Sequence, residues 1–186
     1  MSKELLNNTF HNKITSFVKK NIKKLIILFT LLILYLFGYF FYKDLQKRNE
    51  IKISQQYTQA SIQFKEKKID NAKQLFVNII NKNHKFYSAL ALYFIIDNNL
   101  EEDPLNIVIF FDKILSISSI DAENLNLIRI KKAIFLFSLE DEELMIKTLN
   151  PIINSDSAWR SIAIKLISDY FLSKNQKIKA NEYIQL

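Results

Sequence analysis

Eighteen consecutive residues, Leu25 to Tyr42, read LIILFTLLILYLFGYFFY without one charged side chain. Coiled as a helix, the run is roughly 27 Å long, close to the hydrocarbon thickness of a bilayer. Thirteen of the eighteen are Leu, Ile or Phe, and together they favour insertion by about 6 kcal/mol before smaller offsets from Thr30, Gly38 and the tyrosines. A soluble helix of this length keeps a polar face. This one has none, so the sequence predicts a single transmembrane helix over 25–42, with Tyr35, Tyr39 and Tyr42 at its far end where an aromatic belt sits. A cleaved signal peptide also carries an apolar run, but its run ends in small residues. Here it exits through Tyr39, Phe40, Phe41, Tyr42 and Lys43, behind a leader of 24 residues. The expectation is an uncleaved anchor.

Charge gives the anchor a direction. The net +7 is uneven: residues 1–42 hold six Lys against one Glu, and residues 43–186 hold 20 Lys and Arg against 18 Asp and Glu. Lys19, Lys20, Lys23 and Lys24 abut the leading end, with Lys3 and Lys13 further out, against Lys43, Lys47 and Arg48 beyond the other end. By the bias of Lys and Arg toward the cytosol, residues 1–24 are a basic cytosolic tail, a solvated flank against the anionic leaflet, and the rest of the chain is exported. The same division argues against nucleic acid as a partner. Such binding needs a basic stripe on the folded part, and that part is nearly neutral.

Beyond the anchor, one Gly and two Pro in the entire chain leave few residues suited to the tight turns of a sheet-rich fold. Long helices joined by short turns are expected, with Asn accepting the left-handed conformation at helix ends. Periodicity divides residues 43–186 into eight helical segments: 50–66, 70–82, 85–97, 104–117, 122–139, 142–154, 157–173 and 176–186. Residues 70–82 place Ala72, Leu75, Phe76, Ile79 and Ile80 on one stripe. Residues 85–97 are apolar nearly all round, as a central helix would be. Asp103 before Pro104, Asp121, Asp141, and Asp156 or Ser155 read as N-caps.

Pairing the segments exposes a period. Ala60, Ala91, Ala133 and Ser168 put a small residue on the first helix of each of four hairpins, at spacings scattered around the 34 residues of a tetratricopeptide repeat. Twelve residues on lie Ala72, Asp103, Met145 and Ala180, and four further on the large apolar Phe76, Leu149 and Ile184. The second unit is degenerate, interrupted by Glu101-Glu102-Asp103-Pro104. The expected fold is all-α: the transmembrane helix followed by an α-solenoid of degenerate tetratricopeptide-like hairpins. Such stacks form a concave surface that holds peptides or partner helices.

No residue pattern points to catalysis, a cofactor or a metal. Cysteine is absent. His11 in the tail and His84 in a polar turn are too few and too far apart for a metal site, and no phosphate loop, nucleophile elbow or zinc helix motif occurs. Glu140-Asp141-Glu142-Glu143 sits at a helix start, where dipole compensation and capping account for it. Asp97 with Glu101-Glu102-Asp103 is read with the same caution. Trp159, within Ala158-Trp159-Ile162-Ala163, follows a core-facing spacing.

Three stretches, AKQLFVNIINKNHKFYSALALYFIIDNNLEE (72–102), IKTLNPI (146–152) and SAWRSIAIKLISDYFLSKNQKIKA (157–180), carry a likeness that spans residues 15–186 when the basic tail and anchor are included. The Tyr-Ser-Ala-Leu-Ala run at 87–91 and the hairpin from Trp159 to Lys174 are its most specific parts. In these the chain resembles the YfgM family, ancillary subunits of the bacterial SecYEG translocon built on a tetratricopeptide-like domain. Lys67, Asn98 and Asn175 stand where that family has turn glycines. The resemblance implies a single-pass inner-membrane protein with a cytoplasmic N-terminus and a periplasmic domain. It also implies a non-catalytic role beside the Sec translocon, with translocon subunits, periplasmic chaperones or emerging polypeptides as partners and no cofactor. A membrane-tethered scaffold for another envelope or division complex fits the same architecture.

Overall fold

In the computed structural model the backbone is described for residues 2–186 and the side chains for residues 19–24 and 26–186. The side chains of Lys3, His11, Lys13 and Leu25 lie outside the described residues. The described residues form eight helices: α1 (Ser2–Lys65), α2 (Ile69–Asn81), α3 (Tyr87–Asp97), α4 (Pro104–Leu115), α5 (Ala122–Leu139), α6 (Glu142–Ile153), α7 (Arg160–Ser173) and α8 (Lys177–Ile184). No strand occurs among the described residues.

By packing, the chain divides into two compact units, Met1–Lys52 and Ile53–Leu186. The first contains a stretch of α1 long and apolar enough to cross a membrane. Its side chains from Ile26 to Tyr42 are exposed. The one polar side chain in its middle, Thr30, donates its hydroxyl to the Ile26 carbonyl at 2.9 Å and so needs no water. At the far end Tyr42 accepts from the Gln46 amide at 2.8 Å, and the Lys43 ammonium lies 5.2 Å from the Tyr39 ring centre.

The sequence reading separates the apolar helix from a first domain helix at 50–66. The structure has one helix instead. Residues 43–50, KDLQKRNE, contain no Gly or Pro to stop it. Most are good helix formers, and Arg48 Nε meets Asp44 Oδ2 at 2.7 Å four residues away.

The second unit is built from helices that pack on their neighbours in sequence: α2 on α3, α3 on α4, α4 on α5, α5 on α6, α6 on α7 and α7 on α8, with α5 also meeting α7. The end of α1 joins this unit through Ile53, Tyr57 and Ala60, whose core includes Ala72, Phe76, Ile79 and Ile80 of α2. All four small residues of the expected period, Ala60, Ala91, Ala133 and Ser168, are buried. Ser168 shows why size matters there: its hydroxyl is shared between the Ile164 carbonyl at 2.8 Å and the Ala180 carbonyl of α8 at 3.3 Å, a reach that needs backbones close together. Asp103, at the degenerate position, is exposed and caps α4 instead. Phe76 and Leu149 are buried as the repeat requires, but Ile184 is 59% exposed, because no described element packs against that face of α8.

Two apolar clusters fill the unit. One runs from Ile53 to Ile128 and the other from Ile130 to Ala180. α5 serves both, turning Ile128 to the first and Ile130, Ala133 and Leu136 to the second. Between α4 and α5 the Lys132 side chain is 3% exposed, with its ammonium 2.6 Å from Asp112 Oδ1. α3 buries Ser88, Ala89, Ala91, Leu92 and Ile95 and half-buries most of the rest, as its all-round apolarity predicts.

The N-caps at Asp103, Asp121 and Asp141 accept from Leu105, Asn124 and Leu144 N–H at 2.9, 3.0 and 2.9 Å. The start of α7 departs from expectation. Its cap position is Trp159, not Asp156 or Ser155, and the Ser157 hydroxyl accepts the Trp159 N–H at 3.1 Å.

Turns between helices use the left-handed region without glycine. Lys67, Asn83, Asn99, Glu140 and Asn175 have φ of 61°, 52°, 49°, 58° and 59°. Asn99 takes the role assigned to Asn98, which stays outside that region and donates its amide to the Phe94 carbonyl at 2.9 Å. The α1 and α3 ends close with paired bonds, Lys68 N to Gln63 O at 3.0 Å with Lys67 N to Phe64 O at 2.9 Å, and Leu100 N to Ile95 O at 2.9 Å with Asn99 N to Ile96 O at 3.1 Å. A lysine in this conformation is strained by its Cβ, whereas glycine is not. Lys67→Gly is therefore expected to raise stability by about 1 kcal/mol, read as a higher urea midpoint at unchanged slope. A lower midpoint would show that the turn is not a source of strain.

Candidate functional site

A concavity of the second unit opens between α3 and the start of α5, with the α4–α5 connection at its end. Its volume is about 390 Å³. Phe86, Ala89, Leu90 and Tyr93 line one wall, at the spacing that puts residues on one helix face. Ile120, Leu127 and Ile128 line the other. The floor is thus apolar, and Phe86, 58% exposed, projects at its mouth.

Local chemistry fixes both walls. α3 begins at a histidine cap: His84 Nδ1 accepts the N–H groups of Phe86 and Tyr87, each at 3.2 Å, and its ring packs 5.3 Å from that of Tyr87. The Ser88 hydroxyl accepts from His84 N at 2.9 Å and lies 3.1 Å from the Ile79 carbonyl, to which it donates, tying α3 to the end of α2. The half-buried His84 therefore serves as a cap at the start of α3. On the opposite wall, Asp121 is committed to Asn124, through the backbone N–H on Oδ1 at 3.0 Å and the side-chain amide on Oδ2 at 2.6 Å. These bonds hold its carboxyl below the usual carboxylate range. Burial pushes the Tyr93 phenol up to about 12, so it faces the groove as a neutral hydroxyl. The Lys131 ammonium lies 5.6 Å from the Tyr93 ring centre.

Five of the acidic residues singled out in the sequence, Glu101, Asp103, Glu140, Asp141 and Glu142, are spent on structure. Asp141 caps α6, Glu140 Oε2 pairs with Lys174 at 2.6 Å, and Glu142 Oε1 pairs with Lys179 at 2.8 Å. The Glu140 carbonyl accepts the Tyr170 hydroxyl at 3.1 Å. Burial raises the Glu101 carboxyl, but the Asp103 N–H at 3.2 Å and the Lys73 ammonium at 3.2 Å outweigh it and hold the group below its ordinary value. Among the described residues no group of three or more His, Cys, Asp or Glu side chains is placed to hold a metal ion.

One polar cluster escapes a reading by sequence alone. Glu123 and Asn126 of α5 meet Ser157 in the α6–α7 connection: the hydroxyl donates to Glu123 Oε2 at 2.9 Å and accepts from Asn126 Nδ2 at 3.0 Å. The Trp159 N–H takes its other lone pair. With donor and both acceptor positions filled, this serine is a clasp between successive hairpins. Trp159 itself is half-buried against the second apolar cluster. Ala158 and Ile162, placed on the same face by spacing, are exposed, because the buried stripe of α7 is Ala163, Ile167, Tyr170 and Phe171.

No family model, curated protein or solved structure matches the chain.

Proposed function

We propose that this chain is a single-pass membrane protein whose α-solenoid of degenerate tetratricopeptide-like hairpins binds protein segments as a non-catalytic accessory of protein export. The observation that carries the reading is the α3–α5 groove, an apolar trough open to solvent on a chain that also holds an apolar stretch of membrane-spanning length. Ligands and partner segments bind preferentially in concave sites lined mainly by apolar side chains. The buried small residues Ala60, Ala91, Ala133 and Ser168, one on every second helix, support the repeat architecture. The excess of lysine ahead of the apolar stretch supports a cytoplasmic N-terminus and an exported domain in a bacterial inner membrane. The export role itself rests on the resemblance of residues 72–102, 146–152 and 157–180 to the YfgM family.

A photo-crosslinking residue at Phe86, in intact membranes, tests the proposal. Recovery of translocon subunits, periplasmic chaperones or nascent exported chains is the expected result. Their consistent absence, or a reporter fused after Leu186 that is active only in the cytosol, overturns it.

A further inference from the structure

A seven-residue pattern runs along the exposed part of α1. Leu28, Tyr35, Tyr42 and Asn49 recur at intervals of seven, and Leu31, Gly38 and Leu45 stand three places after the first three of them. This is the spacing of the seam between two coiled helices, sustained over three heptads. Two features set the seam apart from a lipid-facing surface. It outlasts the apolar run: in residues 43–50, KDLQKRNE, the only apolar side chain is Leu45, which is on the seam and 45% exposed, while all five charged residues lie off it. It also gathers polar groups at depth. Tyr35 stands seven residues before Tyr42, about 10 Å further into the span, and among the described residues its hydroxyl has no partner. The one glycine of the chain is on the same line, with nothing within 4 Å of the place a Cβ would take.

Hydrocarbon offers a phenol no hydrogen bond, and a glycine lets a second helix come close enough to supply one. That helix must belong to another molecule, because α1 is the only described helix long and apolar enough to cross a membrane. We infer that it is α1 of a second copy of this chain, paired in parallel along the seam. Phenols and the Asn49 amide each donate and accept, so the stripe complements itself when a two-fold axis sets each residue against its own counterpart. An asparagine at such a position also fixes the register of two-stranded coils. Copies inserted in the same direction are already parallel.

This rests on the membrane-spanning reading of α1, and one experiment separates the two. The chain has no cysteine, so a single introduced thiol reports alone. Full chains carrying Leu45→Cys, on the seam, or Lys47→Cys, off it, are oxidised with copper phenanthroline in carbonate-washed membranes. Leu45→Cys is expected to give a disulfide-linked band at twice the mass of the chain, and Lys47→Cys to stay monomeric. Adding Gly38→Leu to Leu45→Cys should abolish the band, since the space around Gly38 is open in the single helix and only a partner would be displaced. Tyr35→Phe should weaken pairing of labelled chains in detergent, read by energy transfer, about threefold, the effect of one interhelical hydrogen bond. Equal crosslinking at both positions, a seam thiol that stays monomeric or links to a protein of another mass, or a dimer indifferent to Gly38→Leu would overturn the pairing while α1 remains a membrane helix. Loss of the parent chain to the carbonate supernatant would overturn the spanning reading, and the membrane pairing with it.

Discussion

Replacing Leu31 and Leu34 together with arginine is expected to move the chain from the carbonate-resistant membrane fraction to the supernatant. Both positions lie near the middle of the uncharged run from 25 to 42. An arginine at the centre of a spanning helix costs roughly 3 kcal/mol and forfeits the 0.5 kcal/mol or so that a leucine contributes. Two of them cost about 7 kcal/mol, against the roughly 6 kcal/mol by which the whole run favours insertion. The balance changes sign. Leu31→Ile with Leu34→Ile leaves it unchanged and serves as the control. Neither leucine belongs to the second compact unit, which begins at Ile53, so the urea midpoint of that unit should be the same in both variants. Retention of the double-arginine chain in the washed pellet would show that this stretch does not hold the protein in a bilayer.

The parts of the fold that the sequence announces are those fixed by local chemistry. Three aspartates at helix starts mark α4, α5 and α6 because a short carboxylate satisfies a backbone N–H that nothing else reaches. Of the left-handed turn residues, Lys67 and Asn175 stand where the sequence reading put them and Asn99 replaces Asn98, since either asparagine can adopt that conformation, whereas Asn83 and Glu140 carried no such signal. The start of α7 was not legible, because its cap is shared among Ser155, Ser157 and Trp159 and depends on Glu123 of another helix. His84 was missed for a related reason: histidine is not among the usual cap residues, and only the fold brings Nδ1 over two N–H groups.

The groove was hidden by composition. α3 is apolar on almost every side, so no periodicity separates Ala91, Leu92 and Ile95, which face the core, from Phe86, Leu90 and Tyr93, which line the trough. Its second wall comes from residues 120–128, and only tertiary packing joins the two. The continuity of α1 is legible in the residues, since nothing between Lys43 and Glu50 stops a helix.

Phe76→Ala is expected to cost about 3–5 kcal/mol, Leu149→Ala about 2–5 kcal/mol and Ile184→Ala close to nothing, although the repeat period assigns all three the same position. Phe76 is fully buried, stacked on Phe94 with ring centres 4.3 Å apart and set edge-on to Tyr57 at 5.4 Å. Removing its ring empties a site walled by α1, α2 and α3, and rigid neighbours cannot close the gap. Leu149 is equally enclosed in the second cluster, whereas Ile184 loses little because solvent already covers most of it. Against a typical domain stability of about 5–15 kcal/mol, the phenylalanine variant gives up roughly a fifth or more. Urea titration of the full chain in detergent, followed by far-ultraviolet circular dichroism and by the fluorescence of Trp159, the single tryptophan, measures all three. The two probes also test how the clusters are joined. Phe76 lies in the first cluster and Trp159 packs on the second, and α4, through Ile107 and Val108, and α5, through Ile128 and Ile130, serve both. Coincident shifts are expected, because neither cluster keeps its packing without those helices. A Phe76→Ala chain whose fluorescence midpoint stays at the parent value while its dichroism falls early would show instead that the hairpins melt one after another from the α1 end.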